Sequence, residues 1–390
     1  MKILTRHGMA GTRATAMLGV AALAGAAALA IAGPADAATV PHDFSGGAGR
    51  VVLVQTDNTA GNQVVVYDRA DDGRLSRAGV YATGGLGGQT AGSAADHLSS
   101  QGSLGYDPQE GLVVAVNAGS STVSVFGIRG DRLSLHQVIG SGGTFPVSVA
   151  VHGDLVYVLN AENGGSVQGY RASFGRLFPI PGSNRLLGLD PTATPQFTHT
   201  PGQVVFSPDG SKLIVTTKAN GEDLDVFAVQ PGGLLSSSPV VDPLPGTVPF
   251  AITFDKQGHL ILAEAAGALA DFQLQEGGTI AQLDVVPTSQ AASCWVEEAK
   301  GHFYVSNAGS GSLSTFSSSV KGELLTLLGD TPTNGGTVDA TASSDGRFLY
   351  VQTGAEGIVD EFEVGAQGAL TEVGTVTVPG AIGGEGIVAG

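Results

Sequence analysis

The chain has 390 residues, 60 of them glycine, with 18 basic against 35 acidic side chains. A formal charge of −17 repels phosphate backbones and anionic lipid surfaces, which disfavours nucleic-acid and membrane partners and any highly phosphorylated substrate. The single cysteine, Cys294, excludes an intrachain disulfide, so stability must come from apolar burial, for which the length is ample.

Residues 1–37 read as a signal peptide. Lys2, Arg6 and Arg13 form a positive n-region, and residues 16–32 form an apolar run without a charge. Ala35 and Ala37 supply the small residues a signal peptidase reads, which predicts cleavage before Ala38 and secretion. Removing the leader takes away three basic residues and one acidic residue, leaving 353 residues with a net charge of −19. Residues 38–49 read as a leader segment, and residues 50–390 as one domain, expected to be monomeric. No later stretch approaches the ~18 uninterrupted apolar residues of a membrane span.

From Val51 onward the sequence repeats. One unit is a short apolar strand, a turn, a second strand ending near Asn or Thr, a Gly-rich loop, a third strand ending in an aromatic, and a further turn before Leu. The second and third strands recur seven times, at residues 51–67, 112–126, 155–170, 213–227, 260–272, 303–316 and 349–362. The turn before the second strand carries Asp209-Gly210 or Asp345-Gly346, a strong hairpin signal. The later turn carries Gly73-Arg74-Leu75, Gly233-Leu234 or Gly322-Glu323-Leu324. Runs such as Val113-Val114-Ala115-Val116 are continuously apolar, which requires burial on both faces, as in a blade between two neighbours. The reading is all-β, a seven-bladed propeller.

Six units own a first strand, at residues 102–107, 146–151, 203–208, 249–254, 293–298 and 338–343. The unit starting at Val51 lacks one, and the tail at 384–390 looks like a first strand without a unit. The tail is therefore expected to become the innermost strand of the first blade and latch the ring.

Two long insertions join blades, at residues 83–101 and about 181–201, on the face that also carries the loops between second and third strands. Long loops on a rigid scaffold carry function, which makes this the working face. The insertions bring His97, Gln101 and His199; the strand-two ends bring Asn117, Asn160, Lys218, Glu264 and Asn307; the channel strands bring Gln203, Trp295, Asp339 and Glu385. The asparagines read as ligand contacts or as hosts of the left-handed backbone of a Gly-rich loop, the latter being the commoner role. Glu264 lies within Ala263-Glu264-Ala265-Ala266, where a carboxylate reads equally as a general base of raised pKa or as a solvated or distantly paired group. Free imidazole titrates near neutrality, so His97 and His199 read as water activators or as surface side chains. Lys218 and Trp295 suit an anionic or ring-shaped ligand, although packing explains the Trp equally well. Cys294 reads as a nucleophile or, more commonly for a free cysteine, as a small buried side chain. The sequence carries no Gly-x-Ser-x-Gly elbow, no His-Glu-x-x-His motif and no intact calcium loop, so no cofactor is assigned. A channel calcium held by Glu264 with Asn or Asp is chemically reasonable without motif support.

With the units laid out, residues 46–390 resemble the lactonase-family propellers, which include 6-phosphogluconolactonases and carboxymuconate-cyclase-like proteins, and within them a secreted branch. The resemblance is carried by SSQGSLGYD (99–107), VAVNAGSSTVSVF (114–126), SGGTFPVSVAVHGDLVYVLNA (141–161), VVFSPDGSKLIVT (204–216), FDKQGHLILAEAAG (254–267), QAASCWV (290–296) and SSDGRFLYV (343–351). It implies a seven-bladed propeller and hydrolysis of a lactone by base-activated water, with Glu264, His97 or His199 as the base and a donor stabilising the oxyanion. The competing reading, from the lack of a catalytic signature, is a non-catalytic propeller that binds an extracellular protein, glycan or cell-wall component. N-terminal sequencing of exported protein is expected to begin at Ala38; an intact Met1 would refute the leader assignment.

Overall fold

The computed structural model describes residues 50–319 and 324–390. The expected signal peptide, its cleavage site and the Gly322-Glu323 part of one turn lie outside the described residues. The rest forms seven antiparallel sheets, each built on four strands in radial order. Blades 2 to 7 begin at Leu104, Pro146, Val204, Pro249, Ser293 and Thr337, at or within two residues of the expected first strands. Continuous apolar strands are sealed on both sides: Leu112–Asn117 is buried at every position, as is Phe348–Thr353.

Blade 1 is completed from the other end of the chain. Ile387–Ala389 pairs antiparallel with Val51–Gln55, with Val52 opposite Ala389, Leu53 opposite Val388 and Val54 opposite Ile387. The Gln55 amide adds a bond to the Gly386 carbonyl at 2.8 Å. The ring is thus closed as expected.

Neighbouring blades are pegged by tyrosines on second strands. Tyr157 of blade 3 donates to the Gly233 carbonyl at 2.6 Å, Tyr304 of blade 6 to Gly368 at 3.0 Å, and Tyr350 of blade 7 to Gly73 at 2.8 Å. Each acceptor lies in the turn before the outer strand of the next blade, which explains why that turn repeats. Gly73 has φ +88°, and a Cβ there would lie 2.3 Å from the Phe348 ring, so no larger residue fits. The SPDG and SSDG turns close internally, with Ser207 and Ser343 each donating to the aspartate two residues on at 2.6 Å.

Two details differ from expectation. The second insertion starts later, because Arg185–Leu186 still pairs with Ser166 and Val167 on the third strand of blade 3. The asparagines do not host left-handed backbone: Asn117 has φ −128°, and the left-handed residue of its loop is Ser121. Instead, Asn117 and Asn307 donate to Ser124 (2.8 Å) and Ser314 (3.0 Å) on their own third strands, while Asn160 reaches the Ser141 carbonyl at 3.2 Å. These fully buried side chains serve the strand-to-loop junctions, and Asn160 Oδ1 alone among the three is left without a hydrogen-bond partner among the described residues.

Removing residues 384–390 is expected to lower the melting temperature of the whole ring in one transition. Ile387→Ala, which leaves the ladder but empties a buried site, is expected to cost about 2–5 kcal/mol. An unchanged melting temperature in the deletion would refute ring closure by this strand.

Candidate active site

Both insertions fold over the end of the ring and line a cavity of about 580 Å³. The first insertion supplies residues from Gly92 to Asp96 with Ser99, the second supplies Phe197 and Thr198, and blades 4 to 6 supply the remaining wall. Two bulges shape it. The pairing of blade 5 slips between Pro249 and Ala251, and that of blade 6 between Ser293 and Trp295. The extra residues, Phe250 and Cys294, are the ones that line the cavity. The Phe250 and Trp295 rings meet edge to face with centroids 4.9 Å apart.

Lys218 fastens the two insertions together. Its ammonium donates to the Ser99 carbonyl at 2.6 Å, the Phe197 carbonyl at 2.7 Å and Thr200 Oγ1 at 3.1 Å. It lies 5.2 Å from the centroid of the Phe250 ring. All three of its protons are therefore engaged within the protein. Its backbone is left-handed, φ +52°, a strain that persists only where the surroundings impose it. Burial pulls its pKa down to about 7, against the opposing charge of Asp96.

Asp96 is the carboxyl on the cavity wall. Its oxygens accept from the amides of Leu98 at 2.7 Å and Ser100 at 2.8 Å, which ties it to the insertion. Burial raises its pKa to about 6, and those amides and Lys218 hold it from rising further. Cys294 is free and buried, and its thiol is pushed up to about 12 by burial. It stays protonated, which removes the nucleophile reading.

Beside the cavity the first insertion crosses the ring. Gln101 donates to the Val296 carbonyl at 3.0 Å and accepts from the Val296 amide at 3.1 Å, as an extra strand residue would. Trp295 Nε1 donates to the Ser100 carbonyl at 2.6 Å. Gln203 accepts from the Ile252 amide at 2.5 Å, joining blades 4 and 5. Next to these crosspieces sit three more buried acids. Asp57 accepts from the Glu385 amide at 2.8 Å, and Glu385 accepts from Ser103 N and Ser100 Oγ, each at 3.3 Å. Glu385 also shares a hydrogen bond with Asp339. Burial raises Asp57 to about 8 and Asp339 to about 7, and raises Glu385 well above the usual carboxyl range. Among the described residues no group of three or more His, Cys, Asp or Glu is arranged to hold a metal ion. No described helix is long and apolar enough to cross a membrane.

The family described as "Lactonase, 7-bladed beta-propeller" matches residues 187–383, half of the chain. The chain belongs to this lactonase family. No curated protein matches it. Among solved structures, this lactonase-family propeller is similar to the periplasmic gluconolactonase of Pseudomonas aeruginosa, at 18% identity and a TM-score of 0.66, covering 87% of this chain and 98% of that one. It is also similar to a protein from Bacteroides uniformis provisionally named a 6-phosphogluconolactonase, at 18% identity and a TM-score of 0.69, covering 85% and 98%. A protein from Lactobacillus plantarum matches at 20% identity and a TM-score of 0.68, covering 87% and 98%. At these identities the likeness is one of fold.

In this lactonase-family chain the three residues expected to supply a base are not brought together. Glu264 is buried, and burial raises it to about 7, but alternation along its strand turns it to the side of Leu260 and Leu262, toward blade 4. It does not line the cavity. His97 packs its ring on Gly383, its Nδ1 buried without a hydrogen-bond partner, and burial lowers its pKa. His199 lines a separate polar depression of about 230 Å³ with Glu162 and Asp190. Its Nδ1 lies 2.9 Å from Thr198 Oγ1. Of the other expected residues, Lys218 and Trp295 reach the cavity, while Gln101, Gln203, Asp339 and Glu385 are buried structural members. Asp96 and Phe197 were not singled out by sequence, although each lies within two residues of a histidine that was.

The buried acids predict the pH dependence of stability. Their folded pKa values lie above the unfolded value, so the folded state binds more protons and stability falls as pH rises from about 4 toward 7–8. Glu385→Gln, which mimics the neutral acid, is expected to flatten this slope and raise the melting temperature at pH 8. A wild-type melting temperature that climbs over that range would contradict the assignment.

Proposed function

We propose that this protein hydrolyses a lactone in the cavity at the channel mouth, with Asp96 as general base, and that it does so outside the cell after loss of the leader. The observation that carries the reading is a carboxyl of raised pKa on the wall of a largely apolar cavity in a lactonase-family chain. The name of the P. aeruginosa gluconolactonase supports the same reaction class. The basic, apolar and small-residue segments of the leader support export.

In this reading the ionised Asp96 takes a proton from water as its oxygen attacks the ring carbonyl. With three backbone amides directed at it, those of Leu98, Ser99 and Ser100, the Asp96 carboxylate keeps one in-plane lone pair for the water. The tetrahedral intermediate then expels the ring oxygen, which receives the proton back from Asp96. The fixed charge of Lys218 on the same wall favours the oxyanion, an effect enlarged where water is excluded.

Asp96 must be ionised and Lys218 charged, so hydrolysis corrected for the spontaneous rate is expected to rise through about pH 6 and decline above about pH 7. The two limits belong to the pair. Asp96→Asn is expected to lower kcat by about 10²–10⁴-fold. Glu264→Gln is expected to leave turnover in place. Loss of turnover in Glu264→Gln with an unchanged melting temperature would move the base to Glu264. Absence of turnover on a lactone panel would favour a non-catalytic binding propeller.

A further inference from the structure

We infer that the cavity selects lactones with an apolar body, an alkyl-substituted or aromatic ring, over polyhydroxylated or phosphorylated sugar lactones. The inference names the substrate class of the site proposed above and rests on that reading for the lactone group alone.

The walls are largely apolar. Phe197, Phe250, Trp295 and Val248 face the cavity, and alanines from three blade loops, including Ala219, Ala266 and Ala308, fill much of the remainder. A volume of about 580 Å³ admits a ring with a substituent of several carbons.

The polar groups of the cavity favour the same class of ligand. A sugar lactone offers several hydroxyls, each of which needs a partner once buried. Here the polar side chains are already engaged. Lys218 has no proton left for a ligand. Trp295 Nε1 is held by Ser100, Ser93 Oγ donates to the Thr90 carbonyl at 2.9 Å, and Thr198 Oγ1 to the Pro195 carbonyl at 3.1 Å. Ser99 Oγ and Thr90 Oγ1 bond each other at 2.9 Å. Asp96 retains acceptor capacity, which serves one water or one ring oxygen's proton and not a polyol.

Charge acts in the same direction. A phosphate would need a fork of Arg or Lys, and among the described residues the only cation on the wall, Lys218, is buried and committed. Asp96 on the same wall and the acidic surface both oppose an anion. What remains is a neutral molecule with one polar end, the lactone group, directed at Asp96 and Lys218, and an apolar remainder against the aromatic rings.

Trp295 is the chain's only tryptophan and lines the cavity, so its fluorescence reports occupancy without turnover. Non-hydrolysable probes separate binding from chemistry: an alkyl-substituted δ-lactam, D-gluconolactam and inorganic phosphate, titrated against full-length mature protein with calorimetry as a second readout. The alkyl lactam is expected to bind about 100-fold or more tightly than gluconolactam, and phosphate not to compete. Ala308→Phe, which fills the cavity, and Phe197→Ser, which removes one wall from the loop side, are each expected to weaken the alkyl lactam about tenfold or more with the melting temperature retained. Equal or tighter binding of gluconolactam, competition by phosphate, or no binding of the alkyl lactam would overturn the inference. Alkyl-lactam binding with no turnover of the matching lactone would uphold the ligand class while overturning hydrolysis.

Discussion

The structure depends on one short ladder. Three residue pairs between Ile387–Ala389 and Val52–Val54 convert seven stacked sheets into a closed ring, and every blade then has a neighbour on both sides. That condition allows strands as uniformly apolar as Leu112–Asn117, because neither face is left to water. It also creates a central space that the inner strands cannot fill alone. The first insertion fills part of it, with Gln101 bonded to the backbone of blade 6 and Ser100 held by Trp295. The cavity lies beside it, against blades 4 to 6.

The same crowding accounts for the unusual charges. Four buried carboxyls, Asp57, Asp96, Asp339 and Glu385, interact as a chain of neighbours, and one buried ammonium, Lys218, acts on Asp96. Isolated buried charges would be prohibitive, and the groups respond by shifting toward neutrality and by accepting backbone hydrogen bonds. The Lys218 ammonium satisfies carbonyls from two separate loops at once, which neither loop could satisfy for itself. A polar centre of this kind defines where the insertions sit more sharply than apolar packing would.

The fold was legible because its signals are local and repeat. Asp-Gly and Gly-Leu turns, apolar runs and the orphan strand at 384–390 can each be recognised within a few residues, and periodicity reinforces them. The site was not legible in the same way. Asp96, Lys218, Phe250 and Trp295 come from four parts of the chain and meet only because the ring brings them round. Phe250 and Cys294 face the cavity through bulges, which shift side-chain direction without a mark in the hydrophobic pattern. Glu264 was conspicuous for its alanine neighbours, yet the two-residue period of its strand turns it toward blade 4. His97 drew notice for its chemistry, while its neighbour Asp96 holds the cavity wall; nothing in Asp96-His97-Leu98-Ser99-Ser100 distinguishes a cavity carboxyl from an ordinary turn cap.

The latch strand also bears on how the protein is made. Within residues 50–390, Val51–Gln55 precedes the other six blades in the chain and its partner strand follows them, so blade 1 must wait in an incomplete state while the other six can assemble. During that interval a strand buried along its whole length in the finished ring presents an open edge. A nascent product that lacks Ile387–Ala389 keeps that edge indefinitely, and is thereby exposed to proteases and to pairing with other chains. Synthesis through Ile387–Ala389 is thus what separates a durable molecule from one a cell can recognise and remove.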